Sequence, residues 1–319
     1  MCIRDRQSFL ELRIEGLIKL ADAVDKPMFK AEAVECLRLS GNGVLDGNRD
    51  SQTSTEEAAG IVLDGVVDLE MCGLTFKNFR AYGVRITDVS RKNEKIRING
   101  LYGYRCKDLV NIWGQPGGNF TEDVVIRGCV GWENDHALIS MNAVRYLVIA
   151  GNEGRGNGHE TIKLEGSIDY ATIVGNVCVG NKFSGIYCGG VNYSVVEGNV
   201  CIDNRGDPDG GSGIDFAGGV GTVVQGNVCL RNGFGDGTGD YTGNGISVGG
   251  IGVSPPKYCR FVDNVCGYEG WENRHYGIRV YPGAVDCVVE DNTVERGGQD
   301  GAMLVEEPTA SVKRNKGYM

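Results

Sequence analysis

Four side chains with acid, base or anion-binding chemistry recur at one position of a repeated segment. Lys163, Tyr187, Asp215 and Arg279 each directly follow an isoleucine that the repeat places inward. Lysine or tyrosine can take or give a proton once burial or neighbouring charges lower its pKa. Arginine can hold a carboxylate through two parallel hydrogen bonds. The four residues therefore fit removal of a proton next to a substrate carboxylate, if the fold brings them onto one face.

The element that must position them is a repeat with a basic period near 23 residues. Its clearest copy is Gly175-Asn176-Val177-Cys178, and the same four residue types recur at 198–201 and 226–229. The repeat asparagines are Asn152, Asn176, Asn199, Asn227, Asn264, Asn292 and Asn315. Short alternating β-rich segments cut by Gly and Asn corners are typical of a solenoid of stacked strands. We predict an all-β fold, a right-handed single-stranded parallel β-helix of about ten coils of ~23 residues, with a stacked asparagine ladder.

The chain is expected to begin with an artefact. Residues 1–6 read as a translated sequencing adapter and are predicted to be a scar. Residues 7–32 are predicted to be the remnant of an N-terminal entry strand or cap, and residues 33–319 the parallel β-helix domain. With the N-terminus expected to be truncated, the sequence leaves an export signal open.

The charge, the apolar content and the cysteines of the chain exclude several classes of function. The 319 residues include 51 Gly and 7 Pro and carry a net charge of −10, which argues against nucleic acid as a partner. No apolar run approaches the roughly 18 residues of a membrane span. Four of the 12 cysteines occupy one equivalent inward position, and without a C-x-x-C motif we expect buried free thiols rather than a metal or redox site. These four are Cys178, Cys201, Cys229 and Cys266.

The repeat also shows where the coils gain residues. The interval from Asn199 to the next inward residue, Ile214, is longer than in the preceding coils, and the next two coils are expanded at the same turn. Lengthened loops on consecutive coils stack into a wall, and such a wall makes a cleft. We call the strand that begins at each inward isoleucine the first strand of its coil, and the surface formed by its outward residues the first-strand face. This face is therefore the expected functional surface.

The Gly-Asn-Val-Cys corners, pairs such as Gly185-Ile186, and the segment at 41–48 (Gly-Asn-Gly-Val-Leu-Asp-Gly-Asn) resemble the pectin-lyase-like superfamily of right-handed β-helix proteins over roughly residues 33–315. In that superfamily, polysaccharide binds and reacts on the outward face of the first strand, between long loops. The resemblance implies a carbohydrate-active protein with polysaccharide as its partner, located outside the cell, at its surface or in the periplasm.

The preferred chemistry on that face is β-elimination or epimerisation of a uronic-acid-containing glycan, as in the lyases and epimerases of that superfamily. The predicted catalytic residues are Lys163, Tyr187, Asp215 and His159. The predicted substrate-binding residues are Arg279, Glu160, Glu165, His136, Ser247, Tyr241 and Trp271. His136 and His159 share one position on adjacent coils.

Two other functions stay open. A glycoside hydrolase needs two carboxylates roughly 5–9.5 Å apart, which Asp215 could form with Glu160 or Glu165. A non-catalytic glycan-binding adhesin or tailspike-like shaft needs only an exposed polar face, and would favour a homotrimer over a monomer. The adjacent Lys-Arg pair of some lyases, the Gly-His-Gly of polygalacturonases and the Asp-Pro-His-Glu of mannuronan epimerases are all absent from the sequence.

No cofactor is required by any of these functions, but two acidic Gly-rich loops are candidates for Ca²⁺. Carboxylates on flexible loops are typical Ca²⁺ ligands, and the alternative is that both loops are solvated turns. The candidate ligands are Asp207, Asp209, Asp236 and Asp240.

Overall fold

The computed structural model describes residues 2–4, 9–114, 120–204, 211–233, 243–249, 255–267, 276–295 and 301–317. Within these ranges the regular structure is β-strand, apart from the single 3-10 turn Arg49–Ser51. The described part of the chain has no helix long and apolar enough to cross a membrane. The chain divides into two compact units, Met1–Glu153 and Gly154–Met319.

The first unit is built from coils of three short strands, each paired in parallel with its equivalent on the next coil. Val84, for example, lies opposite Ile61 on one side and Val110 on the other. The strands are Cys2–Arg4, Leu10–Arg13, Leu17–Lys19, Phe29–Glu32, Glu35–Ser40, Val44–Asp46, Ile61–Asp64, Val67–Cys72, Thr75–Lys77, Val84–Thr87, Glu94–Asn99, Tyr102–Tyr104, Val110–Trp113, Thr121–Arg127, Val130–Trp132 and Ile139–Ala150. The short strand Glu153–Arg155 lies at the division between the units.

Parallel pairing reaches into the segment predicted to be an entry strand or cap. Leu10–Arg13 pairs with Glu35–Ser40, and Leu17–Lys19 pairs with Val44–Asp46. Cys2–Arg4 pairs with Phe29–Glu32. The assignment of residues 1–6 to an adapter stays a prediction.

The second unit repeats the same three-strand coil more regularly. Its strands are Ile162–Val174, Val177–Val179, Ile186–Asn192, Val195–Glu197, Val200–Ile202, Ile214–Gly218, Val223–Gln225, Val228–Leu230, Ile246–Val248, Arg260–Val262, Val265–Gly267, Tyr276–Val280, Val288–Glu290, Thr293–Glu295, Gly301–Val305, Ser311–Lys313 and Lys316–Gly317. The inward isoleucines are fully buried and aligned from coil to coil. The predicted all-β parallel β-helix is confirmed.

Stacked asparagines hold together the turns between the second and third strands of the second unit. From Asn176 to Asn315, each buried amide Nδ2 donates to the Oδ1 of the next repeat asparagine at 2.9–3.0 Å. The predicted ladder is confirmed from Asn176 to Asn315. A second ladder was missed: Asn157, Asn181, Asn204 and Asn232 are linked in the same way at 2.7–2.9 Å.

The interior of the second unit also contains the predicted column of thiols. Cys178, Cys201, Cys229 and Cys266 are buried and lie opposite one another in the third strands. All four are free thiols, so they pack as small apolar groups.

Candidate functional site on the first-strand face

The predicted column of outward side chains exists as a continuous row in the second unit. Lys163 lies opposite Tyr187, Tyr187 opposite Asp215, Asp215 opposite Ser247, and Ser247 opposite Arg279. Neighbouring strands lie about 4.8 Å apart, so this row covers about 19 Å of the face. The predicted alignment is confirmed, and the catalytic roles stay predictions.

Asp215 is the carboxyl group of this row, and its pKa is strongly raised. It is half-buried, and burial raises its pKa to about 7, with the negative charge of Glu160 adding to the effect. An ordinary aspartate has a pKa of about 3.9. Asp215 therefore exists in both protonation states near neutral pH, which suits a group that takes and gives a proton.

Tyr187, one strand away, is shifted in the direction opposite to our expectation. Burial, followed by the charges of Asp215 and Glu165, raises its pKa to about 12. We expected burial or neighbours to lower the pKa, which was wrong for this residue because burial, and after it the nearby carboxylates, disfavours the charged phenolate. The ring lies over Gly189, where a Cβ would come within 2.7 Å of it. Tyr187 is therefore a fixed proton donor at neutral pH and not a base.

Lys163 supplies a positive charge at one end of the row. Its Nζ lies 3.1 Å from Oε1 of Glu165, and the lysine side chain is 17% exposed. Glu160 on the same coil is buried. Lys163 thus lies in an acidic environment that fixes its position on the face.

Arg279 supplies a second positive charge at the opposite end of the row from Lys163. Its Nε donates to Oε2 of Glu306 at 3.0 Å, and its guanidinium lies 4.2 Å from the centre of the Tyr281 ring. The row places Arg279 two strands from Asp215 and four from Lys163. The two cations therefore flank the Tyr187–Asp215 pair.

Ser247 lies between Asp215 and Arg279 but is engaged within the protein. It is 5% exposed, its hydroxyl lies 2.7 Å from that of Ser212, and it accepts a hydrogen bond from Nδ2 of Asn244 at 2.9 Å. A substrate hydroxyl would have to compete with both partners. Ser247 is therefore better suited to holding neighbouring side chains in place than to binding substrate.

The two described histidines belong to different units. His159, in the second unit, stacks on Phe183 with ring centres 4.3 Å apart, and its Nδ1 is 4.0 Å from Oε2 of Glu160. His136, in the first unit, has its Nδ1 2.6 Å from Oδ1 of buried Asp108. Oδ1 of Asp108 also accepts the backbone N–H of Ala137 at 2.8 Å, so this pair supports a turn.

Several predicted site residues lie outside the described residues. They are the two aromatic candidates and the four candidate Ca²⁺ ligands, all on expanded loops: Tyr241, Trp271, Asp207, Asp209, Asp236 and Asp240. The Ca²⁺ and aromatic contacts stay predictions.

The raised pKa of Asp215 predicts a pH-dependent stability. Native Asp215 stays protonated up to about pH 7, whereas the unfolded residue ionises near 3.9, so the stabilisation present below about pH 4 is lost as the pH rises through 7. We expect Asp215→Asn, which cannot ionise, to be more stable than wild type by about 2–4 kcal/mol at pH 8. Urea unfolding at pH 4 and pH 8 measures this. An equal difference between the two proteins at both pH values would contradict it.

Stacked three-strand coils with ionisable side chains aligned on one face define the chain as a right-handed β-helix protein. Residues 111–316 match the family described as "Right handed beta helix region". The chain belongs to this family, and its resemblance to pectin-lyase-like β-helix proteins is confirmed. No curated protein sequence matches the chain significantly.

Solved structures share this fold at low sequence identity. The periplasmic alginate epimerase AlgG has a TM-score of 0.64 at 14% identity, over 100% of this chain and 78% of that one. The A-module of the Azotobacter vinelandii mannuronan C-5 epimerase AlgE6 has a TM-score of 0.56 at 16% identity, over 97% and 83%. The Dettilon tailspike protein has a TM-score of 0.55 at 17% identity, over 93% and 61%. At these identities the likeness shows the fold.

Proposed function

We propose that the protein acts on an acidic polysaccharide by moving a proton at the carbon next to a uronic-acid carboxylate. One observation carries the proposal. A carboxyl group with a pKa of about 7, Asp215, lies beside a protonated phenol, Tyr187, in a row that ends in Lys163 and Arg279. A base, an acid and cations for a uronate are what this chemistry needs.

The geometry suggests one role for each group. Ionised Asp215 takes the proton from C5, and the electron pair that is left moves into the adjacent carboxylate. Lys163 neutralises the charge that builds up there. Tyr187 then gives its proton either to C5 from the opposite side, which epimerises the sugar, or to the leaving oxygen at C4, which cleaves the chain. Arg279 holds the carboxylate of a neighbouring sugar.

The solved structures of similar fold support the substrate class and the location. One is named as a periplasmic alginate epimerase, another as a mannuronan C-5 epimerase, and a third as a tailspike protein. We therefore propose that the protein acts outside the cytoplasm, on a polysaccharide that contains uronic acid. The proposal leaves the identity of that polysaccharide to experiment.

A panel of polymers tests the proposal. Polymannuronate, polyguluronate, polygalacturonate and a neutral glucan are incubated with the protein, and ultraviolet absorbance, reducing ends and sugar composition are followed. Elimination gives an absorbing unsaturated sugar, and epimerisation changes composition without cleavage. If every acidic polymer is unchanged, the proposal fails and a glycan-binding shaft becomes the better account.

Lys163→Ala is expected to lower turnover by at least about 100-fold, since it removes the charge that stabilises the transition state. The coil should remain folded because the side chain lies on the outer face. Lys313→Ala, an exposed lysine on a second strand, is the matched control and should keep full activity. Equal activity of both variants would remove Lys163 from the mechanism.

A glycoside hydrolase is the second candidate, favoured by the electrostatic coupling of Asp215 to Glu160. Asp215 lies on the strand Ile214–Gly218, and Glu160 lies just before the strand Ile162–Val174, two coils away. Two coils correspond to about 9.6 Å, near the upper limit for an inverting pair. Protonated Asp215 would act as the acid and Glu160 would activate water. New reducing ends without ultraviolet absorbance in the polymer panel would select this alternative.

A further inference from the structure

A second surface of the second unit has features that the catalytic row does not use. Tyr193 and Tyr258 lie in the turn before a second strand, and Tyr170 lies at the equivalent position inside the continuous strand Ile162–Val174. The exposed fractions of Tyr170, Tyr193 and Tyr258 are 50%, 59% and 61%. Each tyrosine stands two residues before a second-strand residue, and these residues are aligned from coil to coil. On the coil between Tyr193 and Tyr258 the equivalent position is Gly221. We call these three tyrosines the corner tyrosines.

The backbone at this corner makes tyrosine an unusual choice. The corner tyrosines have φ values of 57°, 50° and 55°, in the left-handed region that disfavours bulky side chains. Equivalent positions on other coils are occupied by Gly221 and Asp286, which tolerate this conformation better. The turn therefore requires the conformation but not the ring. Strain retained at an exposed aromatic residue suggests a function for that residue.

The rings form an exposed stacked platform. The ring centres of Tyr170 and Tyr193 are 5.8 Å apart, with an angle of 22° between the ring planes. The Tyr193 ring reaches towards the next coil, since a Cβ at Gly221 would lie 3.1 Å from its Cδ1. Tyr258 follows two coils above Tyr193, about 9.6 Å away. Tyr170 and Tyr193 cover each other's facing sides where they stack. The aromatic faces that suit the apolar face of a sugar ring are therefore those that border Gly221, between Tyr193 and Tyr258.

A groove of about 470 Å³ adjoins the corner tyrosines. Its lining includes Ser167, Asn192 and Lys257, and the last two directly precede Tyr193 and Tyr258 in the sequence. Glycines such as Gly190 and Gly219 form much of the remaining surface and leave the backbone accessible. The strand register shifts between Glu165 and Ile168, at one edge of this groove. Such irregularities are common next to binding sites.

The charge of the groove selects the ligand. Lys257 is exposed, and no ion pair to it occurs among the residues that the structure describes. The chain as a whole carries a net charge of −10, so a cation in a groove is a local exception. A carboxylate on a sugar bound to the tyrosine platform would find its partner there.

We propose that the corner tyrosines and Lys257 form a non-catalytic binding site for an acidic oligosaccharide, with sugar rings on the tyrosines and a carboxylate at the lysine. Gly189 lies beneath the Tyr187 ring and lines one edge of the groove. The proposed site therefore adjoins the catalytic row without including it. It concerns binding alone and holds whether or not Asp215 moves a proton. The proposed activity and this site therefore succeed or fail separately.

The test measures binding of mannuronate and galacturonate hexasaccharides by calorimetry, with a neutral hexasaccharide for comparison. Tyr193→Asn with Tyr258→Asn removes both rings and leaves a residue that accepts the left-handed turn. We expect the Kd for the preferred acidic hexasaccharide to rise at least about tenfold. Lys257→Met should weaken acidic but not neutral binding. Tyr102→Asn, at a 47% exposed tyrosine of the first unit, is the matched control and should have no effect.

Performing the titrations in the Asp215→Asn background keeps any turnover by the proposed mechanism low during the measurement. Unchanged affinity in the double tyrosine variant, or no binding of any hexasaccharide, would overturn the proposal. A change of oligomeric state in that variant, seen by light scattering, would overturn it too and identify the corner as a contact between copies of the chain. Binding that depends on the tyrosines, together with no product in the polymer panel, would refute the proposed activity alone.

Discussion

Replacing Asp215 by asparagine is expected to lower turnover on the responding polymer by about 10²- to 10⁴-fold, the usual contribution of a positioned proton-transfer group. Asparagine keeps the shape and polarity of the side chain but cannot accept the proton. Initial rates with saturating polymer, together with circular dichroism to check the fold, measure the effect. The loss should fall on kcat more than on KM, because the missing interaction belongs to the transition state.

A matched variant separates this effect from a general loss of negative charge. Asp286→Asn changes an exposed carboxylate at a corner of the same unit, at a φ of 50° that asparagine also accepts. It should leave kcat unchanged. In the wild type, kcat should fall as the pH drops below about 7, because Asp215 must be ionised to act as base. Retained activity in Asp215→Asn would exclude it as the proton acceptor.

Asn227→Ala is expected to produce the largest loss of stability. The Asn227 Oδ1 accepts hydrogen bonds from the backbone N–H and the Nδ2 of Asn199, both at 2.9 Å. Its own Nδ2 donates at 3.0 Å to the carbonyl of Val196 and to Oδ1 of Asn264. Alanine would leave these buried partners without a bond, at a cost of about 3–4 kcal/mol in the free energy of unfolding.

Asn315→Ala supplies the control for that measurement. Asn315 ends the described ladder, is half-buried, and donates to the carbonyl of Val289 at 2.9 Å. Its Oδ1 also accepts the backbone N–H and the Nδ2 of Asn292, both at 2.9 Å. Because water can reach this half-buried end and replace the lost partner, its removal should cost about 1 kcal/mol. Urea unfolding of both variants gives the comparison. Equal losses would show that the ladder does not act through buried hydrogen bonds.

The fold was predictable because the repeat fixes register. Insertions fall in the turns, so each inward isoleucine still aligns with the next, and the residue after it must face outward. For this reason the alignment of Lys163, Tyr187, Asp215 and Arg279 followed from spacing alone.

The electrostatics of the site could not be predicted in the same way. The pKa of Tyr187 depends first on burial and then on the charges of Asp215, Glu165 and Glu160, and only the folded side chains show these effects. The stacking of His159 on Phe183 likewise depends on the path of a turn.

Two further signals were present in the sequence and were overlooked. The second ladder stands five residues after the first, as in Asn181 after Asn176. The corner tyrosines stand six residues before a repeat asparagine, as in Tyr193 before Asn199. Finding either signal requires comparing every position of the coil across the repeat, including positions without an evident catalytic or binding side chain.

The most direct test of proton transfer at Asp215 is to run the reaction in D₂O and examine the product by NMR and mass spectrometry. We expect wild type to give either deuterium at C5 of epimerised sugars or an unsaturated sugar that has lost its C5 hydrogen, and Asp215→Asn to give neither. Cleaved chains with saturated ends and no deuterium at C5, formed by wild type, would contradict proton transfer and establish hydrolysis instead.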